Sequence, residues 1–181
     1  MPAPSPFPVP TLDDVSDANR AAFEGLRGAL GFVPNLYATF AHSRTALGTY
    51  LALQGARSSI TDRAREVVNL VMSQANDFAY CLAAHSALGR RLGFTDAGLL
   101  EIRGGRAAFD EKLDALARFV HATVAARGHP DPEAVDAFLA AGWTREHLVD
   151  TVMAIGDKTI SNYLHGTTRV PVDFPAAPAL A

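Results

Sequence analysis

Residues 76–85 read NDFAYCLAAH and contain the only cysteine of the chain, Cys81, with His85 four residues after it. If this stretch is helical, the two side chains lie on the same face, because residues at i and i+4 are about 5–6 Å apart at Cβ. The imidazole of His85 is then placed to share a proton with the thiol of Cys81, directly or through one water molecule. We take this pair as the candidate site. The alternative is that Cys81 has no chemical role and packs as a small buried hydrophobic residue.

Helix boundary signals occur on both sides of this stretch. A short polar side chain stands at each predicted helix start: Ser16, Ser43, Thr61, Asn76 or Asp77, Thr95, Asp131 and Thr144. Gly31 and Gly93 are predicted to end two of these helices, and a long amphipathic helix is predicted from Ala107 to Arg127. No stretch alternates with period two and no hairpin signal occurs, so the sequence predicts an all-α fold.

The two ends of the chain are rich in proline. Residues 1–10 have proline at every second position and are predicted to form an extended arm, and residues 170–181 are predicted to form an extended tail. Between them, residues 11–169 contain no linker and no internal repeat. The sequence therefore predicts a single-domain helical bundle.

The helix predicted from Thr61 and the helix that carries Cys81 are apolar over much of their circumference. A helix that is apolar on most faces needs more burial than a surface helix does. Two arrangements provide that burial, a homo-oligomer or a central helix buried within one copy of the chain.

Composition excludes several classes of partner and site. The net charge is −3, with acidic and basic residues scattered, so we expect neither nucleic acid nor an anionic membrane as a partner. No apolar run is long enough to span a bilayer and no signal peptide is recognisable, which predicts a cytoplasmic protein. The single cysteine excludes an intramolecular disulfide and a cysteine-based zinc site, and the histidines have no metal-ligand spacing, so no metal and no cofactor are predicted.

Two further residues are candidates for the site. Glu66 is a carboxylate within an apolar run, on the helix predicted to fold back against the helix of Cys81. It is placed to accept a proton or to orient His85, the alternative being a solvated or ion-paired acid beside Arg63 and Arg65. Tyr80 either donates a hydrogen bond near the thiol or packs in the core.

The spacing of these residues resembles a known family, the alkylhydroperoxidase D-like proteins, also called the carboxymuconolactone decarboxylase-like family. Its pattern is Glu, eleven residues, then Cys-x-x-Cys-x-x-x-His, and this chain has Glu66, Phe78, Cys81 and His85 at those four positions. Segments outside the pattern resemble the peroxidase-related branch of the family: residues 31–37 (GFVPNLY), 161–163 (SNY) and 172–175 (VDFP).

The resemblance implies an antioxidant oxidoreductase with a helical fold, in which Cys81 attacks a peroxide while Glu66 and His85 relay protons, with Tyr80 beside them. In the family the first cysteine of the pattern resolves the oxidised thiol, and Phe78 cannot do this. Three functions stay open: a one-cysteine hydroperoxide reductase that uses an external thiol reductant, a lyase that acts on a small acid with Glu66 and His85 as acid and base, and a non-catalytic protein. The resemblance also implies a homo-oligomer, either a trimer or a hexamer.

Overall fold

The structure is a computed structural model that describes residues 7–180, and among these residues it contains helices and no strand. The helices of this range are α1 (Asp17–Leu30), α2 (Asn35–Phe40), α3 (Ala46–Gln54), α4 (Asp62–Ala75), α5 (Ala79–Arg91), α6 (Asp96–Arg103), α7 (Glu111–Ala125), α8 (Pro132–Ala140) and α9 (Arg145–Thr168). The prediction of an all-α fold is confirmed. Residues 170–180 are non-helical, as predicted for the tail, and so are residues 7–10 of the arm; residues 1–6 of that arm lie outside the described residues.

Most helix starts lie where the capping side chains predict them. The Thr61 and Thr95 hydroxyls accept hydrogen bonds from the backbone N–H groups of Ala64 and Gly98. The helix predicted from Ala107 instead begins at Glu111, because the Asp110 carboxylate caps it by accepting from the N–H of Leu113 at 3.0 Å. The six-residue helix α2 was not predicted from the sequence.

The chain divides into two compact units, and the first contains residues 7–57 and 163–173 of the described range. Here α3 packs against both α1 and α2. The buried Asn19 amide donates hydrogen bonds to the carbonyl oxygens of Ala41 and Ser43, at 3.2 and 2.9 Å. The Asp173 carboxylate accepts from the backbone N–H of Asn35 at 2.7 Å, which fixes the first residues of the tail to the start of α2.

The second unit contains residues 58–162 and 174–180 of the described range. Its central element is α4, which packs against α5, α6 and α7. Most of α4 is buried, including the consecutive residues 66–73. The apolar circumference of this helix is therefore covered within one copy of the chain. The predicted boundaries of a single domain remain a prediction.

The part of α9 in the second unit buries several polar residues and leaves several apolar residues exposed. Thr151, Lys158, Ser161 and Asn162 are at most 3% exposed, whereas Val149, Val152, Met153 and Ile160 are 45–59% exposed. Among its other apolar residues, Ala154 is buried in the core, and Leu148 and Ile155 pack against the core from partly buried positions. The buried polar residues include Lys158, which donates a hydrogen bond to His85 of α5.

Candidate active site

The connection between α4 and α5 consists of residues 76–78 and determines where α5 begins. Asp77 has a left-handed backbone (φ 54°), and the N–H groups of Asp77 and Phe78 donate to the carbonyl oxygens of Gln74 and Ser73. This is the Schellman pattern that closes a helix. Asp77 therefore ends α4, and the prediction that Asn76 or Asp77 caps α5 is wrong. The N-cap residue is Phe78, which contributes no capping side chain.

This correction moves Cys81 closer to the start of its helix. It is the third residue of α5 rather than the fourth or fifth after a cap, so it lies in the first turn, where the helix dipole favours an anion. The side chain is nevertheless buried, with 2% of its surface exposed. Burial raises the pKa of the thiol above its ordinary value, and the charge of Lys158 and the hydroxyls of Ser161 and Ser73 oppose this shift without cancelling it.

Glu66 and His85 form the geometric centre of the site. His85 Nδ1 lies 2.8 Å from Glu66 Oε2 and 3.2 Å from Oε1, and the Asn69 amide donates to Glu66 Oε1 at 2.9 Å. Glu66 is 6% exposed, which excludes the interpretation of a solvated acid beside Arg63 and Arg65. The structure therefore brings together the two residues expected to relay protons; their catalytic role remains a prediction.

The sequence did not indicate the group on the other side of the imidazole. Lys158 of α9 is 2% exposed, and its Nζ lies 2.6 Å from His85 Nε2. An ammonium group can only donate, so Nε2 accepts, and the proton of a neutral imidazole is on Nδ1, where it is donated to Glu66. Glu66, His85 and Lys158 thus form one hydrogen-bonded chain that joins α4, α5 and α9.

Burial and charge set the protonation of this chain. Burial raises the pKa of Glu66, but His85, Lys158 and Asn69 together lower it by more. The pKa of Glu66 therefore ends below its ordinary value. Burial lowers the pKa of His85, the charge of Lys158 lowers it further, and Glu66 opposes both without cancelling them. A carboxylate and a neutral imidazole follow at neutral pH, in agreement with the direction of the two hydrogen bonds.

Cys81 and His85 are on the same helix, but no hydrogen bond joins them among the described residues. The ring nitrogens of His85 contact Glu66 and Lys158, and the polar groups acting on the thiol come from Ser73 of α4 and from Asp157, Lys158 and Ser161 of α9. The expected direct sharing of a proton between thiol and imidazole is therefore absent from this geometry.

The two aromatic residues of the pattern have different surroundings. Tyr80 is 2% exposed, and its ring meets the Phe174 ring edge-on, with the centroids 5.7 Å apart. Phe78 is partly exposed at the N-cap of α5, three residues before Cys81. Tyr80 thus packs against the tail as well as standing beside the thiol residue.

One signal for Lys158 exists in the sequence, although it is weak. Thr151, Lys158, Ser161 and Asn162 recur at helical spacing, which predicts that they share a face of α9. A polar face normally faces solvent, so the pattern by itself predicts exposure. Only the packing of α9 shows that the face is buried.

No group of three or more His, Cys, Asp or Glu side chains in residues 7–180 is arranged to hold a metal ion. Within the same range, no helix combines the length and the apolar character needed to cross a membrane.

Comparison with known proteins places this site in a family. Residues 38–127 match the family model of the carboxymuconolactone decarboxylase family, and this segment contains Glu66, Phe78, Cys81 and His85 but not Lys158. A sequence comparison with curated proteins gives no match.

Several solved structures share the fold over nearly the whole chain. An uncharacterized peroxidase-related protein from Ralstonia eutropha JMP134, with an alkylhydroperoxidase AhpD core, has a TM-score of 0.84 at 23% identity, covering 93% of this chain and 92% of that one. A peroxidase-related protein from Silicibacter sp. TM1040 has a TM-score of 0.80 at 21% identity, with the same coverage. The debrominase Bmp8 has a TM-score of 0.72 at 16% identity, covering 96% and 93%. The chain thus has the fold of the AhpD-core proteins, and the match over residues 38–127 shows that it belongs to the carboxymuconolactone decarboxylase family.

Proposed function

We propose that this peroxidase-related protein reduces hydroperoxides with Cys81 as the attacking thiol and regenerates it with an external thiol. The observation that supports the proposal best is the buried chain Glu66–His85–Lys158. Burying a carboxylate and an ammonium group is unfavourable by several kcal/mol per ion before pairing is counted, so a cluster of this kind is typical of a functional site.

The proposed reaction has two stages. In the first, the sulfur of Cys81 attacks the terminal oxygen of a hydroperoxide, the O–O bond breaks, and the thiol proton ends on the departing alkoxide to give an alcohol and a sulfenic acid. In the second, an external thiol attacks the sulfenic sulfur and releases water, and a second external thiol reduces the mixed disulfide to restore Cys81. Glu66 and His85 relay protons between these steps.

An external reductant follows from the sequence around the site. The chain has one cysteine, and Phe78 stands where the family pattern has the resolving cysteine. The sulfenic acid therefore cannot be reduced by a second thiol of the same chain. Thiol reductants are abundant in the cytoplasm, so we propose a cytoplasmic location. We also propose a small-molecule substrate and a homo-oligomeric assembly, without nucleic acid or membrane partners.

The environment of Cys81 predicts slow reaction at neutral pH. Because burial raises the pKa of the thiol, the thiolate fraction is small at pH 7 and grows as the pH rises. We expect the rate of peroxide consumption to increase with pH above neutrality.

The test measures consumption of cumene hydroperoxide with dithiothreitol by the purified protein and its variants. We expect Cys81→Ser to reduce turnover to background, and Glu66→Gln and His85→Asn to reduce it by about 10²-fold or more, the usual contribution of a positioned proton-transfer group. Arg65→Gln, beside Glu66 in sequence, is the matched control and should retain activity. Equal turnover by the wild type and Cys81→Ser would overturn the proposal.

A lyase reaction is the second candidate, because the Glu66–His85 pair is intact without any hydrogen bond to Cys81. Activity on a lactone acid should then persist in Cys81→Ser and disappear in His85→Ala. Bmp8 is a debrominase of the same fold, so 2,3,4-tribromopyrrole belongs in the same panel of substrates. If no substrate is turned over and no sulfenic acid forms at Cys81, the chain is a non-catalytic family member.

A further inference from the structure

Lys158 is a buried cation that the family pattern does not account for. The chain has two lysines, and Lys112 is exposed on α7, whereas Lys158 is 2% exposed and donates to His85 Nε2 at 2.6 Å. Removing an ammonium group from water is strongly unfavourable unless anions and acceptors compensate for it. The partners of Lys158 are therefore informative about its role.

The hydrogen bond from Lys158 changes what His85 can do. The lone pair of Nε2 is engaged by the ammonium group, and Nδ1–H is donated to Glu66, so the imidazole has no free nitrogen to accept the thiol proton directly. A proton relay between the thiol and the Glu66–His85 pair therefore passes through Lys158. The group that acts on Cys81 from this chain is accordingly the lysine rather than the histidine.

We propose that Lys158 is a positioning residue of the site: its ammonium group holds His85 in the Nδ1–H tautomer and stabilises the thiolate of Cys81, so that it joins the Glu66–His85 pair to the reacting sulfur. Its contribution to catalysis rests on the proposed peroxide reduction. Its effect on the thiolate does not, since that can be measured in the resting protein.

The placement of Lys158 and the charges around the thiol support this assignment. Lys158 contacts His85, which lies one turn after Cys81 on α5, and Ser161 lies one turn after Lys158 on α9. Among the groups acting on Cys81, Lys158 gives the largest effect that lowers the pKa, and the hydroxyls of Ser161 on α9 and Ser73 on α4 act in the same direction. Burial and the nearby Asp157 raise it. Among these groups, Lys158 has the one charge that lowers the pKa of the thiol, and its removal leaves the charge of Asp157 without an opposing cation.

The experiment follows the pH dependence of iodoacetamide alkylation, which reports on Cys81 alone because the chain has one cysteine. We expect Lys158→Met to raise the apparent pKa of the thiol by about one unit or more, which slows alkylation about tenfold at a fixed pH below that pKa. Lys112→Met is the matched control, since it removes the only other lysine, and should leave the profile unchanged.

A second variant separates charge from hydrogen bonding. Lys158→Gln retains a donor for His85 Nε2 but has no charge, so it should raise the thiol pKa as Lys158→Met does. Nitrogen-15 NMR of the imidazole should then show the Nδ1–H tautomer in the wild type and in Lys158→Gln, and a loss of this preference in Lys158→Met. A merely structural role for Lys158 would not move the tautomer signal.

A third comparison covers the case in which Lys158→Met fails to fold because Glu66 loses a cationic neighbour. The double variant Glu66→Gln/Lys158→Met removes both charges, and its alkylation profile is compared with that of Glu66→Gln alone. The double variant should show the higher thiol pKa.

The outcomes distinguish this inference from the proposed function. Unchanged alkylation profiles in the Lys158 variants would overturn the role of Lys158, even if the wild type reduces peroxide. A raised thiol pKa in Lys158→Met, in a protein that does not consume peroxide, would overturn the proposed reaction and leave Lys158 as the partner of the thiolate.

Discussion

Phe78 occupies the N-cap of α5, and Cys81 is the third residue of the same helix. Residues three apart at a helix start are neighbours, and their Cα separation suits a disulfide. The phenyl side chain therefore stands where a second thiol would be within reach of Cys81.

We expect Phe78→Cys to form a disulfide with Cys81 under mild oxidation, because the N-cap and the third residue of a helix are one turn apart, within the usual range of a disulfide. Peptide mapping under non-reducing conditions and thiol titration would detect the bond. Phe78→Ser is the control, since it removes the ring without adding a thiol. Two free thiols remaining after oxidation of Phe78→Cys would contradict this geometry.

The sequence predicted part of this site for a physical reason. Cys81 and His85 are one helical turn apart, and Glu66 is on the preceding helix, so local spacing and a short connection are enough to place them together. His85 and Lys158 are 73 residues apart in the chain. Their contact depends on how α9 packs, and helical periodicity contains no information about that packing.

Helix capping differs between positions that look equivalent in the sequence. Ser16 and Thr61 were both predicted as N-caps, and both have the extended backbone of a cap. Only the Thr61 hydroxyl accepts a hydrogen bond from the helix, at 3.2 Å from the N–H of Ala64, whereas the buried Ser16 hydroxyl has no hydrogen-bond partner among the described residues. The sequence predicts the position of a cap but not whether its side-chain rotamer makes the bond.

We expect Thr61→Ala to lower the free energy of unfolding by about 1 kcal/mol, because α4 loses a capping hydrogen bond. In a chain of this size that corresponds to a drop of about 2–4 °C in Tm. Ser16→Ala is the matched control and should change Tm little, since no cap bond is lost. Equal losses in the two variants, measured by thermal unfolding, would contradict this assignment.

The helix boundaries that the sequence missed have local causes as well. The helix α2 begins directly after its N-cap residue Pro34, and it is only six residues long. The start of α5 differs from the predicted one because Asp77 adopts a left-handed backbone and ends α4. An aspartate adopts this conformation less readily than glycine does. Both misses concern short segments in which a single residue decides the path of the chain.

At the scale of the whole molecule, stability should depend on pH through buried groups. Burial lowers the pKa of His85 and of His165, so the unfolded chain binds protons at a higher pH than the folded chain does. Stability is then lost as the pH falls below about 6.5, the ordinary histidine value. Glu66, with a lowered pKa, contributes stability that is present above 4.5 and is lost at lower pH.

We expect the free energy of unfolding to fall between pH 7.5 and pH 5 by up to about 1.4 kcal/mol per pH unit for each histidine that stays neutral in the folded chain. Urea unfolding at several pH values would measure this slope. His85→Asn should reduce the slope, whereas His129→Asn, at an exposed position, should not. A wild-type slope of zero over this range would contradict burial of a neutral imidazole.

The tail after Asp173 is attached to the second unit at two points, although it has no regular secondary structure. Phe174 packs edge-on against Tyr80, and the Pro178 carbonyl accepts a hydrogen bond from Arg103 Nη1 at 2.5 Å. Tyr80 precedes Cys81 directly, so the tail covers the residue next to the thiol. A chain shortened after Asp173 would open this side of the site to water, and an affinity tag or fusion partner at the same end would have to leave residues 174–178 undisturbed.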